Sequence, residues 1–277
     1  HRPEQLRSML STIESLGLGY AMNEELASVV HSLLGIDIEA EKIFHHLPHF
    51  TGDDVVVTYG GDGTLLEAVG MLGGRPTPVV GINCGRLGYL TADDGDGIEL
   101  LFERIAHREL SFEHRSMLRI EGDFIGDDNC LALNEVAIHR HGATMVSVET
   151  LINGNTVATY HGDGLVVSTP TGSTAYSLSA GGPVADPACR CFVLSPLAPH
   201  NLTMRPVVVP DSSHITLRLN SRGGEAFLSA DNRTFTLHDG ATITLKLATE
   251  ELILATPHNN TFYDALRDKM MWGVDKR

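Results

Sequence analysis

The sequence lacks the features of two large protein classes, nucleic-acid binders and integral membrane proteins. Among its 277 residues, Lys and Arg number 20 while Asp and Glu number 35, so the formal net charge is −15. A chain this acidic lacks the general cationic surface that binding a phosphate backbone requires, although its composition does not exclude a local basic pocket. It also lacks any apolar run of the ~18–20 residues that cross a membrane. We therefore expect neither nucleic acid nor a membrane as its partner.

Cysteine is also scarce, and its placement limits the chemistry. The four cysteines stand at positions 84, 130, 189 and 191 and form no C-x-x-C pair. Neither a zinc site nor a disulfide framework is expected from that pattern. No secretory signal pattern opens the sequence. These absences predict free thiols in a reducing, cytoplasmic environment.

Helical and strand periodicities alternate in the first third of the chain. Strand, turn, helix, strand and helix in this order indicate βαβ units with a parallel sheet. We therefore expect an α/β domain over residues 1–112. Apolar residues recur at helical spacing in 6–16, 26–34, 65–72 and 98–105, and short apolar runs at 55–57 and 79–82 suit strands buried on both faces.

The pattern changes near residue 112. Apolar and polar residues then alternate, as in 215–219 and 243–247, which marks strands with one buried face. This predicts a β-rich domain over residues 113–255. Helical spacing returns from Thr261 onward, and we expect the tail, residues 256–277, to rejoin the first domain.

A glycine-rich turn, Gly60-Gly61-Asp62-Gly63-Thr64, directly follows the first predicted buried strand. Glycines allow the backbone to approach a ligand closely, and the start of the next helix offers N–H groups and a positive dipole end to an anion. The turn is not a P-loop, because no Lys follows its last glycine, and it is not the G-x-G-x-x-G fingerprint. It predicts a cradle for phosphates.

Asp62 is the unusual member of this turn, because a carboxylate repels a phosphate. One interpretation is structural: the side chain caps the helix that follows, which is worth ~1 kcal/mol. The other is chemical: the carboxylate takes a proton from an attacking hydroxyl, as a base does beside the acceptor in phosphoryl transfer. The turn taken alone leaves both open.

Two further polar segments stand out. Hydroxyl residues and glycines are dense from Ser168 to Pro183, just after His161-Gly162-Asp163-Gly164. This composition fits a surface loop, or a helix start whose hydroxyls and Tyr176 meet a polar ligand. The pair Asn134-Glu135 lies between apolar runs. Its Glu either lies on an exposed edge strand or binds paired hydroxyls such as those of a ribose.

In order and spacing, these three segments together resemble the NAD kinase family. The turn at 60–64 is shared with lipid kinases and is similar to one in phosphofructokinases, so it is moderately specific. The run Thr-Pro-Thr-Gly-Ser-Thr-Ala-Tyr at 169–176 is highly specific. Flanking pieces agree with the family as well: Asn83-x-Gly85-x-Leu87-Gly88-Tyr89-Leu90, Pro199-His200 with Arg205-Pro206, and Trp272-Gly273.

The resemblance implies a kinase that transfers the terminal phosphoryl of ATP, or of polyphosphate, to the 2′-hydroxyl of the adenosine ribose of NAD, forming NADP. It implies a Rossmann-like N-terminal α/β domain, a β-rich, sandwich-like C-terminal domain and a site in the cleft between them. It further implies Mg²⁺ as the cofactor, NAD and ATP as the substrates, a homodimer or homotetramer, and a cytoplasmic enzyme.

The resemblance also implies a role for each matching residue. Asp62 would be the base that activates the 2′-hydroxyl, and no residue is expected to form a dedicated metal site. The donor phosphates would be held by Gly60, Gly61, Gly63 and Thr64. The NAD pocket would comprise Asp62, Gly63, Tyr89, Asn134, Glu135, His161, Asp163, Thr174, Ala175, Tyr176, Ser179, Asp231 and Asn232.

Two alternatives remain beside this reading. A lipid kinase of the diacylglycerol type would share the 60–64 turn but lacks the 169–176 run. A non-catalytic regulator would keep the pocket and lose Asp62, which is present. The chain also departs from the family pattern: His161 stands where relatives often have Arg, and the chain starts with helical residues where the family opens with a strand, so we expect that strand to be missing.

Overall fold

The computed structural model describes residues 2–84, 88–91, 97–123, 130–221, 224–256 and 261–271. The expectations that rest on Gly85, Leu87, Trp272 and Gly273 lie outside these residues. The chain divides into two compact units. Unit 1 comprises residues 1–72, 77–113 and 253–277, and unit 2 comprises residues 73–76 and 114–252.

Unit 1 alternates helices with short parallel strands. Strand β4 pairs in parallel with β3 and, through Val79, with Leu254 of the chain's last strand. Its elements are α1 (Pro3–Ser15), β1 (Met22–Asn23), α2 (Glu24–Leu34), β2 (Ile43–Phe44), β3 (Val56–Gly60), α3 (Asp62–Leu72), β4 (Val79–Asn83) and α4 (Ile98–His107), with a 3₁₀ turn at Ala40–Lys42.

The core of unit 1 explains why these segments become helices. The apolar residues of α1 recur every three or four positions, so they form one stripe that is buried against α4 and the strands. Helix α2 begins where the Asn23 side chain accepts a hydrogen bond from Leu26 N at 3.1 Å, and it ends at Gly35, whose φ is 66°. These are an N-cap and a left-handed C-terminal glycine.

Unit 2 is built almost entirely of strands. Its elements are β5 (Ser111–Glu121), β6 (Leu131–Ala132), β7 (Glu135–Arg140), β8 (Val146–Ile152), β9 (Asn155–Gly162), β10 (Gly164–Ser168), α5 (Tyr176–Ser179), β11 (Cys191–Leu197), β12 (Val207–Pro210), β13 (Ile215–Ser221), β14 (Glu225–Ala230), β15 (Arg233–His238) and β16 (Thr242–Thr256), with a 3₁₀ turn at Thr171–Thr174. The first residues of β5 and the last of β16 belong to unit 1, as does α6 (Phe262–Met270).

Two antiparallel sheets of unit 2 share one apolar core. One sheet has the strand order β12-β11-β10-β7-β14-β15, and in the other β16 pairs with β13, β13 with β8 and β8 with β9. Val136 and Ile138 of the first sheet and Val148 and Leu217 of the second belong to a single buried cluster. This is the packing of a β-sandwich.

Strand alternation leaves a second face on the first sheet. Residues Val136 and Ile138 of β7 point into the sandwich core, so Glu135, Ala137 and His139 point the opposite way. On that outer face, Ala137 and Val166 form a smaller apolar cluster against which Tyr176 packs. The outer face therefore brings Glu135 and Tyr176, two of the predicted site residues, to one side of the sheet.

The expected fold class, an α/β unit followed by a β-rich unit, is confirmed. The helical patterns at 6–16, 26–34, 65–72 and 98–105 coincide with α1 to α4. The apolar run at 79–82 lies in the fully buried β4, whereas the run at 55–57 begins one residue before β3 and is only partly buried. Within the described ranges, no helix combines the length and apolarity needed to cross a membrane.

Candidate functional site

The glycine-rich turn lies where β3 ends and α3 begins. Strand β3 ends at Gly60, and Asp62 is the first residue of α3. Gly61, Gly63 and Thr64 are exposed. A side chain at residue 60 would overlap the Thr64 hydroxyl, so the turn requires glycine there. The first N–H groups of a helix have no acceptor within the helix. Because α3 starts here, this end of the sheet can bind an anion.

The Asp62 carboxylate is held by the short segment 88–91. Tyr89 N donates to Oδ2 at 2.6 Å, and Leu90 N donates to Oδ1 at 3.1 Å. The Thr91 hydroxyl lies 3.4 Å from Oδ1. A Cβ at Gly88 would overlap this carboxylate, so glycine is needed for the approach. The sequence left open whether the Asp62 side chain caps α3. Among the described residues, its carboxylate instead accepts hydrogen bonds from the 88–91 segment.

This arrangement gives Asp62 a fixed orientation and gives Tyr89 a role that its sequence position did not reveal. Tyr89 contacts Asp62 through its backbone N–H, so the segment positions the carboxylate whatever the phenol does. Burial raises the pKa of the Tyr89 phenol, and the Asp62 charge raises it further. The phenol is therefore neutral at physiological pH.

In unit 2, hydrogen bonds from two sides fix the backbone of residues 133–135. On one side Thr169 N donates to Asn134 O at 2.9 Å, and the Thr169 hydroxyl donates to Leu133 O at 2.6 Å. A Cβ at Gly172 would overlap Asn134 O, so the 3₁₀ turn can approach this backbone only with glycine. The backbone N–H and the hydroxyl of Thr169 thus hold the Asn-Glu segment in place.

On the other side, Asp231 receives three backbone hydrogen bonds. Leu133 N donates to Oδ2 at 2.8 Å, while Asn134 N and Glu135 N donate to Oδ1 at 2.8 and 3.1 Å. In return Asp231 N donates to Glu135 O at 3.0 Å. Asp231 lies in the turn between β14 and β15 and has a φ of 50°. Burial of its carboxyl raises its pKa, and the three N–H donors oppose that rise.

Glu135 is a second carboxyl of this region whose pKa is raised. Burial raises its pKa to about 8, the Asp231 charge adds to the rise, and a hydrogen bond from Tyr176 N opposes it. Its Oε2 atom is buried and has no hydrogen-bond partner among the described residues. A buried polar atom without a partner is costly. Such an atom beside a polar turn marks a place for a ligand's hydrogen-bonding group.

His139, which the sequence analysis did not name, contacts the candidate site residue Tyr176. Its ring stacks on Tyr176 with a centroid distance of 5.4 Å and an interplanar angle of 16°. Its Nδ1 lies 3.4 Å from the Tyr176 hydroxyl and its Nε2 lies 2.9 Å from the Ser229 hydroxyl. Burial lowers the pKa of His139. The available signal was its position on β7, two and four residues from Ala137 and Glu135, on the same face.

The remaining predicted residues of unit 2 are divided between its two sheets, because His161 lies on β9 and pairs with Ser147 of β8. Asp163 forms an ion pair with Arg140 at 2.6 Å, and the His161 Nδ1 lies 2.7 Å from the Ser147 hydroxyl. The two polar stretches that the sequence separates, 133–139 and 161–179, are thus adjacent in unit 2. Thr174 and Ala175 are partly buried, and Ser179 and Asn232 are exposed.

A separate cavity of about 660 Å³ lies within unit 1. It is lined by apolar side chains of α1, α2 and β3 together with charged ones such as Asp53, Asp54 and Glu67, and among the described candidate residues Thr64 alone reaches it. The cavity therefore does not coincide with the chemistry of the Asp62 turn or with the Glu135 region.

Comparison with known proteins identifies the chain. A model of the ATP-NAD kinase N-terminal domain matches residues 36–110, and one of the ATP-NAD kinase C-terminal domain matches residues 133–259. A NAD kinase of Bacteroides fragilis is 36% identical over 276 residues, which cover 98% of this chain and 93% of the relative. The chain belongs to the NAD kinase family. The resemblance drawn from the sequence is confirmed.

Other members of the NAD kinase family agree. A NAD kinase of Porphyromonas gingivalis is 38% identical over 281 residues, which cover 100% of this chain and 96% of the relative. An Archaeoglobus fulgidus NAD kinase solved in complex with ATP matches with a TM-score of 0.71 and 28% identity, covering 91% of this chain and 96% of that one. Yeast NADH kinase complexed with NADH matches the fold with a TM-score of 0.84 at 24% identity, covering 99% and 85%. None of these comparisons favours the lipid-kinase or regulator alternative.

Proposed function

We propose that this chain transfers the terminal phosphoryl of ATP to the 2′-hydroxyl of the adenosine ribose of NAD, forming NADP and ADP. The observation that carries the proposal is the Asp62 carboxylate, fixed by backbone N–H donors at the start of α3, in a chain that belongs to the NAD kinase family. The ATP complex of the Archaeoglobus fulgidus relative supports ATP as the donor.

Asp62 acts as the general base in this proposal. A ribose hydroxyl has a high pKa and is a poor nucleophile, so a positioned carboxylate must take its proton as the oxygen attacks. The bond that forms joins the 2′-oxygen to the terminal phosphorus, and the bond that breaks joins this phosphorus to the oxygen that leaves with ADP. The hydrogen bonds from Tyr89 and Leu90 fix the direction of the carboxylate, and the second lone pair of Oδ2, which accepts only from Tyr89 N among the described residues, is available for the proton.

The donor phosphates bind at the turn in this proposal. Gly60, Gly61, Gly63 and Thr64 offer backbone N–H groups, a hydroxyl and the positive end of α3. Among the described residues, no group of three His, Cys, Asp or Glu side chains could hold a cation. This fits Mg²⁺ that arrives on the triphosphate, because Mg²⁺ is usually held by substrate phosphates and few carboxylates. A bound Mg²⁺ would supply positive charge beside the transferred phosphoryl group.

The NAD pocket draws on unit 2. The unpartnered Oε2 of Glu135 supports a hydrogen bond to the nucleotide, and the Tyr176 ring, held by His139, supports contact with a ring of the substrate. The other proposed contacts are Gly63, Tyr89, Asn134, His161, Asp163, Thr174, Ala175, Ser179 and Asn232.

The proposal includes a cytoplasmic enzyme that assembles as a homodimer or homotetramer. The scarcity of cysteine, four in 277 residues with no C-x-x-C pair, supports a reducing compartment. Light scattering coupled to gel filtration measures the mass of the assembly. A mass of a single chain, near 29.9 kDa, would contradict the oligomer.

The decisive experiment incubates the purified chain with NAD, ATP and Mg²⁺ and detects NADP with an NADP-specific dehydrogenase. We expect NADP to form, and polyphosphate in place of ATP tests the donor. Asp62→Asn should lower kcat at least about 100-fold while NAD still binds, because a base acts only in the transition state. Asp53→Asn is the matched control, since Asp53 is an exposed carboxylate of the same unit that pairs with Arg108. Absence of NADP with both donors would refute the proposal.

A further inference from the structure

We propose that Asp231 is a positioning residue of the NAD site, which fixes the backbone of Asn134 and Glu135 and tunes the Glu135 side chain without contacting the reacting atoms. The inference rests on the proposed function, because it concerns how the nucleotide pocket is held. The family resemblance implies that Asp231 contacts NAD. Its carboxylate instead accepts hydrogen bonds from the backbone of residues 133–135, which favours a positioning role.

The first argument is the use of the Asp231 oxygens. Both point at the backbone of 133–135, and together they receive three N–H donors at 2.8 to 3.1 Å. Hydrogen bonds to a charged acceptor are stronger than neutral ones. We call these three hydrogen bonds, from the backbone N–H groups of residues 133–135 to the Asp231 carboxylate, the clasp. In this proposal these hydrogen bonds set the direction of the neighbouring Glu135 side chain, whose buried Oε2 has no hydrogen-bond partner among the described residues.

The second argument is the distance along the chain over which the clasp acts. Asp231 stands in the β14–β15 turn, about 97 residues after the segment it holds, and its φ of 50° lies in the left-handed region. Non-glycine residues adopt this region rarely, and Asp and Asn adopt it most readily. This backbone conformation directs the Asp231 carboxylate toward residues 133–135 at the start of β7, where Asp231 N also donates to Glu135 O.

The third argument is electrostatic. The groups that face Glu135 are Asp231 from the β14–β15 turn and Tyr176 N from α5, with Ser168 beside it in the register of β10. Asp231 itself faces Arg233, whose guanidinium donates to Leu131 O. Asp163 lies near Tyr176 and pairs with Arg140. A negative charge at Asp231 favours the neutral form of Glu135.

Asp231→Asn tests the role, because the amide keeps the size and removes the charge. One oxygen becomes an NH₂ group that cannot accept, so one or two of the three backbone hydrogen bonds are lost. We expect KM for NAD to rise about tenfold or more while KM for ATP and kcat change less than about threefold, which separates positioning from chemistry. Asp239→Asn is the matched control, since Asp239 also accepts a backbone N–H, from Ser221 at 2.7 Å, in another turn of unit 2.

A second measurement separates positioning from a general loss of structure. The Glu135 carboxyl is titrated in the ligand-free protein by infrared difference between wild type and Glu135→Gln, and again in the Asp231→Asn background. We expect the midpoint to move to lower pH by roughly one pH unit once the neighbouring charge is gone. A merely structural role would leave the midpoint in place.

The outcomes divide clearly. A raised KM for NAD together with the shifted Glu135 midpoint supports the inference. An unshifted midpoint, a loss confined to kcat, or an equal effect of Asp239→Asn overturns it. If the wild-type chain forms no NADP, the proposed function fails by itself, and the ligand-free titration still decides whether Asp231 controls Glu135.

Discussion

The raised pKa of Glu135 predicts that this side chain costs stability at neutral pH. Its pKa is about 8 in the folded chain, against an ordinary value of 4.5. The interval is roughly 3.5 pH units, and each unit is worth about 1.4 kcal/mol. The full effect is therefore of the order of 5 kcal/mol, an upper bound for a residue that keeps some solvent contact.

The sign follows from proton counting. Between pH 4.5 and 8 the folded chain keeps the Glu135 proton while the unfolded chain has released it, so the unfolded state binds fewer protons and the free energy of unfolding falls as pH rises. The loss begins near pH 4.5 and is complete just above pH 8. Glu135→Gln is neutral at every pH and can keep the hydrogen bond from Tyr176 N. It should remove this slope.

The assay is urea unfolding of ligand-free protein, followed by circular dichroism from pH 5 to pH 9 at constant ionic strength. The difference in unfolding free energy, Glu135→Gln minus wild type, should rise by about 1.4 kcal/mol per pH unit near neutrality and level off above pH 8. Glu149→Gln on β8 is the control, because Glu149 is a surface carboxylate paired with Arg218. Parallel stability curves for wild type and Glu135→Gln would refute the reasoning.

Three further substitutions test the contacts around Asp62 in unit 1 and around Glu135 in unit 2. Gly88→Ala places a methyl group where the Asp62 carboxylate lies, so kcat should fall at least about 100-fold with the fold retained. Steady-state kinetics measures kcat and circular dichroism checks the fold. An unchanged kcat would contradict the proposal that the 88–91 segment positions the Asp62 carboxylate. His139→Asn removes the ring under Tyr176 and should raise KM for NAD about threefold to tenfold with kcat kept; an unchanged KM would make the stack irrelevant to binding. Thr169→Val removes the hydroxyl that holds Leu133 O and should lower the unfolding free energy by about 1–3 kcal/mol in urea titrations; no loss would show that the hydroxyl is not needed.

Local patterns were enough to predict β3 and α3, the two elements on either side of the turn that contains Asp62. The apolar run at 55–57, the glycines and the helical spacing after Thr64 predict strand, turn and helix from neighbouring residues alone, and the structure has β3 and α3 there. Periodicity works in such cases because 3.6-residue and 2-residue repeats are decided within one element. The same reasoning separated the α/β region from the β-rich region.

Contacts between distant residues could not be predicted in the same way. The Asp62 carboxylate is held from 27 and 28 residues away, by Tyr89 and Leu90, and Asp231 reaches back 98 residues to Leu133. A sequence gives no register between such segments. The pKa of Glu135 was equally hidden, because burial and a remote charge set it.

Strand β7 combines residues of the apolar core with residues that we propose to bind NAD. Val136 and Ile138 enter the sandwich core and are fully buried, so truncating them creates cavities that cost about 2–5 kcal/mol. Glu135 and His139 point to the other face. Substitutions of these two residues leave the apolar core intact, so their effects on NAD binding are measurable in a folded protein. The period of two in a single strand is what separates the two sets of residues.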